Sequence, residues 1–208
     1  MVKNIGVLGT GAVGGTLANG LKELGYEVSV GSRNGKKIDG WAGNVGTFDE
    51  VAKKAELIIL AVKGSVAKEL VQNLTAELAG KTVIDTTNPI ASEPPENGVL
   101  KYFTDLNSSL MEQLQEIAPH TQFVKAFNSV GANVMVKPTF ELTPSMFICG
   151  NNETAKSEVS ELLTKLGWEA EDMGKAEAAR AIEPLCILWC IPAILHGQRQ
   201  QVFKLLKQ

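Results

Sequence analysis

A short apolar run, Asn4-Ile5-Gly6-Val7-Leu8, passes directly into the turn Gly9-Thr10-Gly11-Ala12-Val13-Gly14. Runs of this kind suit a strand buried on both faces. Beyond the turn, Val13, Leu17, Leu21 and Leu24 recur at helical spacing, and Gly25 is placed to end the helix. Glu27-Val28-Ser29-Val30 then reads as a second strand. Strand, glycine turn, helix and strand thus follow one another within roughly 30 residues, the context in which G-x-G-x-x-G marks a dinucleotide site. Gly9 takes the tight turn out of the strand, Gly11 keeps side-chain bulk away from a pyrophosphate, and Gly14 lets the helix approach the sheet. The free N–H groups and positive dipole end of that helix face the phosphates. Gly9, Thr10, Gly11, Ala12, Val13 and Gly14 are therefore candidate cofactor-binding residues.

The end of the second strand separates the two nicotinamide cofactors. NAD-specific folds place an acidic residue here to accept hydrogen bonds from the ribose 2′-hydroxyl. No Asp or Glu lies between Glu27 and Asp39; the segment reads Gly31-Ser32-Arg33-Asn34-Gly35-Lys36-Lys37. A hydroxyl and three cationic groups stand where a 2′-phosphate would lie. Arg33 can grip that phosphate as a fork and stack on the adenine, with Ser32 and Lys36 as further donors. The pattern points to NADP(H).

Further along, Asn44 to Thr47 fits a short edge strand, with Thr47 capping a helix from Phe48 to Ala55. Glu56-Leu57-Ile58-Ile59-Leu60-Ala61-Val62 is the clearest buried strand and ends at Lys63-Gly64. A helix is expected from about Ser65 to Leu78, then a strand over Lys81 to Asp85. Residues 90 to 107 show no period and read as a long loop, of the kind that serves as a lid or binding loop. A helix over Ser108 to Ile117 follows, with strands at Gln122 to Phe127, Met146 to Gly150 and Trp168 to Met173, and a helix from Glu153 to Leu166. Everything from about Ala176 is expected to be helical, with breaks near Pro184 and Pro192.

The alternation predicts an α/β fold: a doubly wound, mainly parallel sheet of about eight strands, the Rossmann NAD(P)-binding arrangement. Residues 1–175 form the NADP-binding domain, and 176–208 a short helical segment packed on it or at a homodimer interface. Ligands of such sheets bind beyond the carboxyl ends of the strands. That rule adds Ala61, Val62, Lys63 and Asn88 to the cofactor-binding candidates, though Lys63 also reads as a solvent-facing lysine at a helix start and Asn88-Pro89 as a plain turn.

The 208 residues carry a net charge of −3, with 21% charged and 44% hydrophobic residues. That balance gives no electrostatic case for nucleic acid or an acidic membrane surface. Leu185 to Leu195, about 11 residues with Pro192 inside, is too short to cross a bilayer. The first strand begins too near Met1 to leave room for a signal peptide, and an odd cysteine count suits reduced thiols, so a cytoplasmic setting is expected. Cys186 and Cys190 can share a helix face; in so apolar a segment they read as small hydrophobes, as does Cys149. His120 and His196 have no partner at metal-ligand spacing, so no metal is expected.

Several separated stretches resemble the coenzyme F420-dependent NADP oxidoreductases: the glycine turn, Gly31-Ser32-Arg33, Thr87-Asn88-Pro89, Val124-Lys125-Ala126-Phe127-Asn128-Ser129, Met146 to Asn152 and Ala178 to Leu185. The chain is also similar to the cytoplasmic reductase domain of the six-transmembrane epithelial antigen metalloreductases. The resemblance spans nearly the full length. It implies a nicotinamide ring at the strand ends that exchanges hydride with a flavin or deazaflavin, with Asn88, Pro89, Phe127 and Asn128 as its neighbours. Archaeal deazaflavin-using members carry a histidine near the nicotinamide where this chain has Asn128, which leaves F420, FMN, FAD or another small-molecule oxidant open as acceptor. Two other functions fit the residues: an NADP(H)-binding redox sensor without turnover, and a reductase of a small imine or carbonyl.

Overall fold

The computed structural model describes residues 4–35 and 40–208. Among them, eight strands form one sheet in the order β3-β2-β1-β4-β5-β6-β7-β8. They are β1 (Asn4–Leu8), β2 (Glu27–Ser32), β3 (Asn44–Thr47), β4 (Leu57–Leu60), β5 (Thr82–Asp85), β6 (Gln122–Lys125), β7 (Ser145–Gly150) and β8 (Glu169–Asp172). The first six run parallel. β7 pairs antiparallel with β6, and β8 returns parallel to β7. The cause lies in the connections. A parallel return needs a crossover, usually a helix; helix α6 (Glu153–Lys165) supplies one between β7 and β8, whereas β6 reaches β7 through a loop whose helical content is the 3₁₀ turn Ala132–Val134.

Strand alternation sends side chains to two cores. Ile5, Val7, Leu57, Ile59, Ile84 and Val124 face α1 (Ala12–Glu23) and α6. Leu8, Ile58, Leu60, Val83 and Phe123 face the other layer: α2 (Phe48–Lys54), α3 (Gly64–Asn73), α4 (Thr75–Leu78), α5 (Leu110–Ile117) and α7 (Ala179–Ile182). The sheet is thus covered on both sides, as its unbroken apolar strands require. Thr47 caps α2 in a reciprocal box with Glu50, and Gly25 follows α1 with φ 87°.

Three expectations need correction. The helix expected from Ser65 to Leu78 is two, α3 and α4, because Leu74 leaves helical geometry between them (φ −111°, ψ 13°). The long loop over residues 90–107 is present as expected, folding back on itself through isolated bridges, Ile90 with Tyr102 and Glu96 with Val99. The C-terminal segment is helical only to the end of α8 (Leu185–His196), where Gly197 turns left-handed. Pro192 removes a helix hydrogen bond without ending α8. With α7, the helical run Ala176–His196 reaches 21 residues, long and apolar enough to cross a membrane by length and composition, where about 11 were expected. The 11 residues are the apolar stretch Leu185 to Leu195 alone, and the helical residues before Pro184, expected as helix but not counted with it, make up the difference.

After Gly197 the chain has neither helix nor strand and straps back to the sheet. Ser145 N donates to Phe203 O at 2.9 Å, Leu205 N to Ser145 Oγ at 3.1 Å, and Trp189 Nε1 to Gln201 O at 2.8 Å. The outward side of α8 stays apolar: Leu188, Ile194 and Leu195 are exposed.

Candidate active site

Sheet register gathers the separate motifs on one rim. Gly31, Leu8, Leu60, Asp85 and Lys125 are paired in one row across β2, β1, β4, β5 and β6. Ser32, Gly9, Ala61, Thr86 and Ala126 follow in sequence, so all emerge from the carboxyl edge. The row spans four strand spacings, about 19 Å at ~4.8 Å each. The row crosses the switch point between β1 and β4, where the strand order reverses and such folds open a crevice.

Each glycine of the turn answers to a different constraint. Gly9 has φ 137°, and a Cβ there would stand 2.1 Å from Ala61 O. A Cβ on Gly14 would stand 2.3 Å from Gly9 O. These two close the turn against β4 and α1. At Gly11 a Cβ would meet nothing within 4 Å. Gly11 is the N-cap of α1 and no side chain caps the first turn, so its N–H groups face open space. An exposed, uncapped helix start with a side-chain-free approach is what a pyrophosphate needs, and these residues fit a dinucleotide. Thr10 and Ala12 are exposed beside it, with Val13 half-buried.

Ser32 is half-buried at the end of β2, and Arg33 is exposed just beyond it. Ser32 Oγ lies 3.4 Å from Asn34 Oδ1, and Gly35 turns left-handed at φ 63°. Lys36 lies outside the described residues. Ala61 and Val62 border the switch point half-buried, while Lys63 is exposed as the N-cap residue of α3 and is not engaged by its side chain in capping.

Asn88 and Asn128 come together at the β5–β6 end of the rim. Asn88 Nδ2 donates to Asn128 O at 2.8 Å, and Asn128 Nδ2 donates to Asn88 Oδ1 at 3.2 Å and Ile182 O at 2.9 Å. Phe127 is different. Its ring is buried edge-on to Trp168 at 6.4 Å, so it contributes backbone to the site and not a ring face. Its φ of 62° is uncommon for a bulky residue and costs conformational energy of the kind that clusters at functional sites. Pro89 is buried, its carbonyl accepting from Phe103 N at 2.9 Å.

Beneath this pair lies a buried charge cluster that sequence reasoning missed. Lys125 Nζ sits 2.7 Å from Asp85 Oδ2 and 2.8 Å from Glu183 Oε1, and donates to Thr87 O at 2.9 Å. The Asp85 contact is an ion pair through Oδ2, while Asp85 Oδ1 accepts from Thr87 N and Oγ1. Glu183 also caps α5, accepting from Leu110 N and Met111 N at 3.0 Å each. Burial works to lower the Lys125 ammonium, but Asp85 and Glu183 outweigh it and hold the group above its ordinary value, hence charged. Tyr102, also missed, donates to Glu183 O at 2.8 Å with its hydroxyl 3.4 Å from Asn88 Oδ1. Burial drives its phenol far upward, so it remains a donor. A charged residue inside each of three apolar stretches was the available signal for the cluster. Tyr102 gave none, standing in a loop without periodicity.

Gly64 supports the same corner. A Cβ on it would lie 1.9 Å from Asn88 O, so α3 can approach the 87–89 turn only with glycine there. Cys186 and Cys190 do share a face, with sulfurs 4.0 Å apart, and Cys149 is buried, its thiol pushed up to about 12 by desolvation. Among the described residues no cluster of three or more His, Cys, Asp or Glu could hold a metal. His120 and His196 are both exposed and away from the rim. One cavity, lined by Tyr26, Glu27, Leu57 and Lys165, opens at the amino ends of β2 and β4, the wrong edge for the dinucleotide.

Residues 4–89 match the family model described as NADP oxidoreductase, coenzyme F420-dependent. The metalloreductase STEAP3 of Rattus norvegicus is 33% identical over 92% of this chain, and the chain spans 38% of that protein's length. The F420-dependent NADP reductase of Methanothermobacter marburgensis is 30% identical over 85% of this chain and 86% of its own length. A crystal structure from Arthrobacter sp. FB24, ascribed to an F420-dependent NADP-reductase, superposes with a TM-score of 0.90 over all of both chains at 32% identity. With its glycine cradle, its basic β2 end and its paired asparagines on one rim, the chain belongs to the coenzyme F420-dependent NADP oxidoreductase family.

Proposed function

We propose that the protein binds NADP(H) along the rim and exchanges hydride between its nicotinamide and a deazaflavin of the F420 type. The observation that carries this is the common edge: phosphate cradle, Ser32-Arg33 and the Asn88–Asn128 pair occupy successive strand ends in one register. When bound, the cofactor supplies the hydride chemistry; the protein supplies placement and surroundings. Gly9 to Gly14 hold the pyrophosphate at the α1 start. Arg33 and Ser32 hold the 2′-phosphate. The Asn88–Asn128 corner, stiffened by Lys125 from below, keeps the far end of the site fixed where the two rings must stack. Hydride transfer between stacked rings depends on such alignment more than on a side-chain acid or base.

Membership of the family supports a deazaflavin as acceptor, and a direct test separates it from the flavins. NADPH is mixed with the purified protein and F420, FMN or FAD, and nicotinamide oxidation is followed spectrally. Rapid turnover with F420 and slow turnover with FMN and FAD is the expected result. Faster turnover with a flavin would replace the deazaflavin as acceptor. NADPH binding without oxidation by any of them would favour a sensor that does not turn over.

A further inference from the structure

Two of the three cysteines stand side by side on α8 and take no part in the rim. Cys186 Sγ and Cys190 Sγ lie 4.0 Å apart, about one helical turn from each other. Cys186 is buried beside Tyr102, while Cys190 is half-buried, within reach of solvent. The bond between the sulfurs holds the Cys190 thiol below its ordinary value of 9.0, although burial opposes this. The same bond, with burial, lifts the Cys186 thiol, so Cys186 is the donor. One sulfur of the pair is thus ready to give up its proton to a metal, and a thiolate is the form that binds one.

The spacing suits a bridging ion. With metal–sulfur bonds of about 2.3 Å, two sulfurs 4.0 Å apart subtend roughly 120° at the metal, between the tetrahedral and the linear angle. The ion then sits about 1 Å off the line joining the sulfurs and replaces their protons, so no preformed cavity is required. The ligand set narrows the metal. Thiolates select Cu(I), zinc and iron–sulfur clusters. Structural zinc takes four ligands and a cluster four cysteines. Among the described residues no third His, Cys, Asp or Glu joins the pair. Hard cations need oxygen donors; α8 carries no Asp or Glu, and the Glu183 carboxylate is committed to Lys125, Leu110 and Met111. A soft monovalent ion that accepts two sulfurs remains.

We propose that Cys186 and Cys190 form a two-thiolate site for a soft monovalent cation of the Cu⁺ kind. Each thiol releases its proton to solvent as its sulfur–metal bond forms, and no electron changes hands. Two thiolates around one monovalent ion leave a single negative charge, which the Lys125 ammonium helps to offset through its pull on Cys186. The site is independent of the dinucleotide and of the NADP reading. Cysteines that serve only as small hydrophobes would be inert toward such an ion, and that difference can be measured.

Competition for Cu⁺ supplies the test. The reduced protein is kept under nitrogen with ascorbate, a reductant without thiols, and Cu⁺ is offered in the presence of the chromophoric chelator bicinchoninate. The wild type should withhold one copper per chain, with X-ray absorption showing two sulfur neighbours and no third. Cys186→Ala and Cys190→Ala should each withhold none, and Cys149→Ala should match the wild type. Zn²⁺ offered against a zinc-binding dye should not be retained. A wild type that withholds no copper would overturn the site, as would an α8 variant that keeps it. Loss of copper in Cys149→Ala, or zinc held more firmly than copper, would overturn it equally. If Cys186→Ala does not fold, Cys190→Ala decides, since that side chain is only half-buried.

Discussion

Lys125 Nζ meets Glu183 Oε1 at 2.8 Å, with the two side chains only 0% and 2% exposed. Lysine comes from the end of β6 and glutamate from the residue after α7, so one contact ties the C-terminal segment to the middle of the sheet. Removing one partner of a buried pair leaves the other charge stranded, at a cost of about 3–5 kcal/mol. Lys125→Met strands both Asp85 and Glu183 and should lose stability in that range. Glu183→Gln leaves Asp85 beside the ammonium and should cost less. Urea unfolding of the two variants checks the order; a Lys125→Met protein as stable as the wild type would refute the account.

The glycines of the turn should separate folding from binding. Gly9→Ala forces a methyl to 2.1 Å from Ala61 O at φ 137°, and should give a protein that is poorly folded or markedly less stable. Gly11→Ala meets nothing within 4 Å and should melt near the wild-type temperature. Its methyl stands where the pyrophosphate must approach, so dinucleotide affinity should fall at least tenfold, about 1.4 kcal/mol. Thermal melts beside calorimetry of the two variants make the comparison.

Arg33→Ala should weaken NADPH by about 1–3 kcal/mol and leave NADH nearly unchanged, since only NADPH carries the 2′-phosphate. The side chain is exposed, so stability should not move. Equal losses for both nucleotides in calorimetry would remove the 2′-phosphate from this position.

Acid stability should depend on Glu112. Burial pushes its carboxyl up, but hydrogen bonds from Arg180 and Ser109 outweigh this and hold it below its ordinary value of 4.5. A carboxyl lowered by folding adds stability above the unfolded value and loses it as pH falls through the folded one. Arg180→Ala should therefore flatten the pH dependence below about pH 4.5 while costing about 1 kcal/mol or less at neutral pH, because Arg180 is 41% exposed. Denaturation midpoints from pH 3 to 7 give the curve; identical slopes in both proteins would assign the effect elsewhere.

Local chemistry made half of the candidate site's geometry legible before any coordinates. The glycine turn, the β2 end and Thr47 as a cap all depend on neighbours within a few residues, and pattern reasoning found them. The register row from Gly31 to Lys125 needed only the rule that parallel strands share a carboxyl edge. The rest depends on distant pairing. Lys125 finds Glu183 58 residues later, a distance in sequence that no spacing encodes. Gly64 is dictated by Asn88 O, an atom 24 residues away. The left-handed Phe127 breaks the preference of its own residue type, so propensity argued against the backbone it adopts. Asn128 entered as a candidate only through the resemblance, and nothing in the sequence showed that its Oδ1 has no partner in the fold.

Ile182 and Glu183 together serve Asn128, Tyr102, Lys125 and the start of α5, and these polar ties are complete before α8 begins. The outward surface of α8 takes no part in these ties, and of its exposed apolar residues Leu195 also packs on Gly98 of the 90–107 loop. Leu188 and Ile194 can be rewritten, by evolution or by a protein engineer, to suit a new neighbour while the Asn88–Asn128 corner keeps its shape. The segment behaves as an adapter with a fixed plug and an interchangeable outer face.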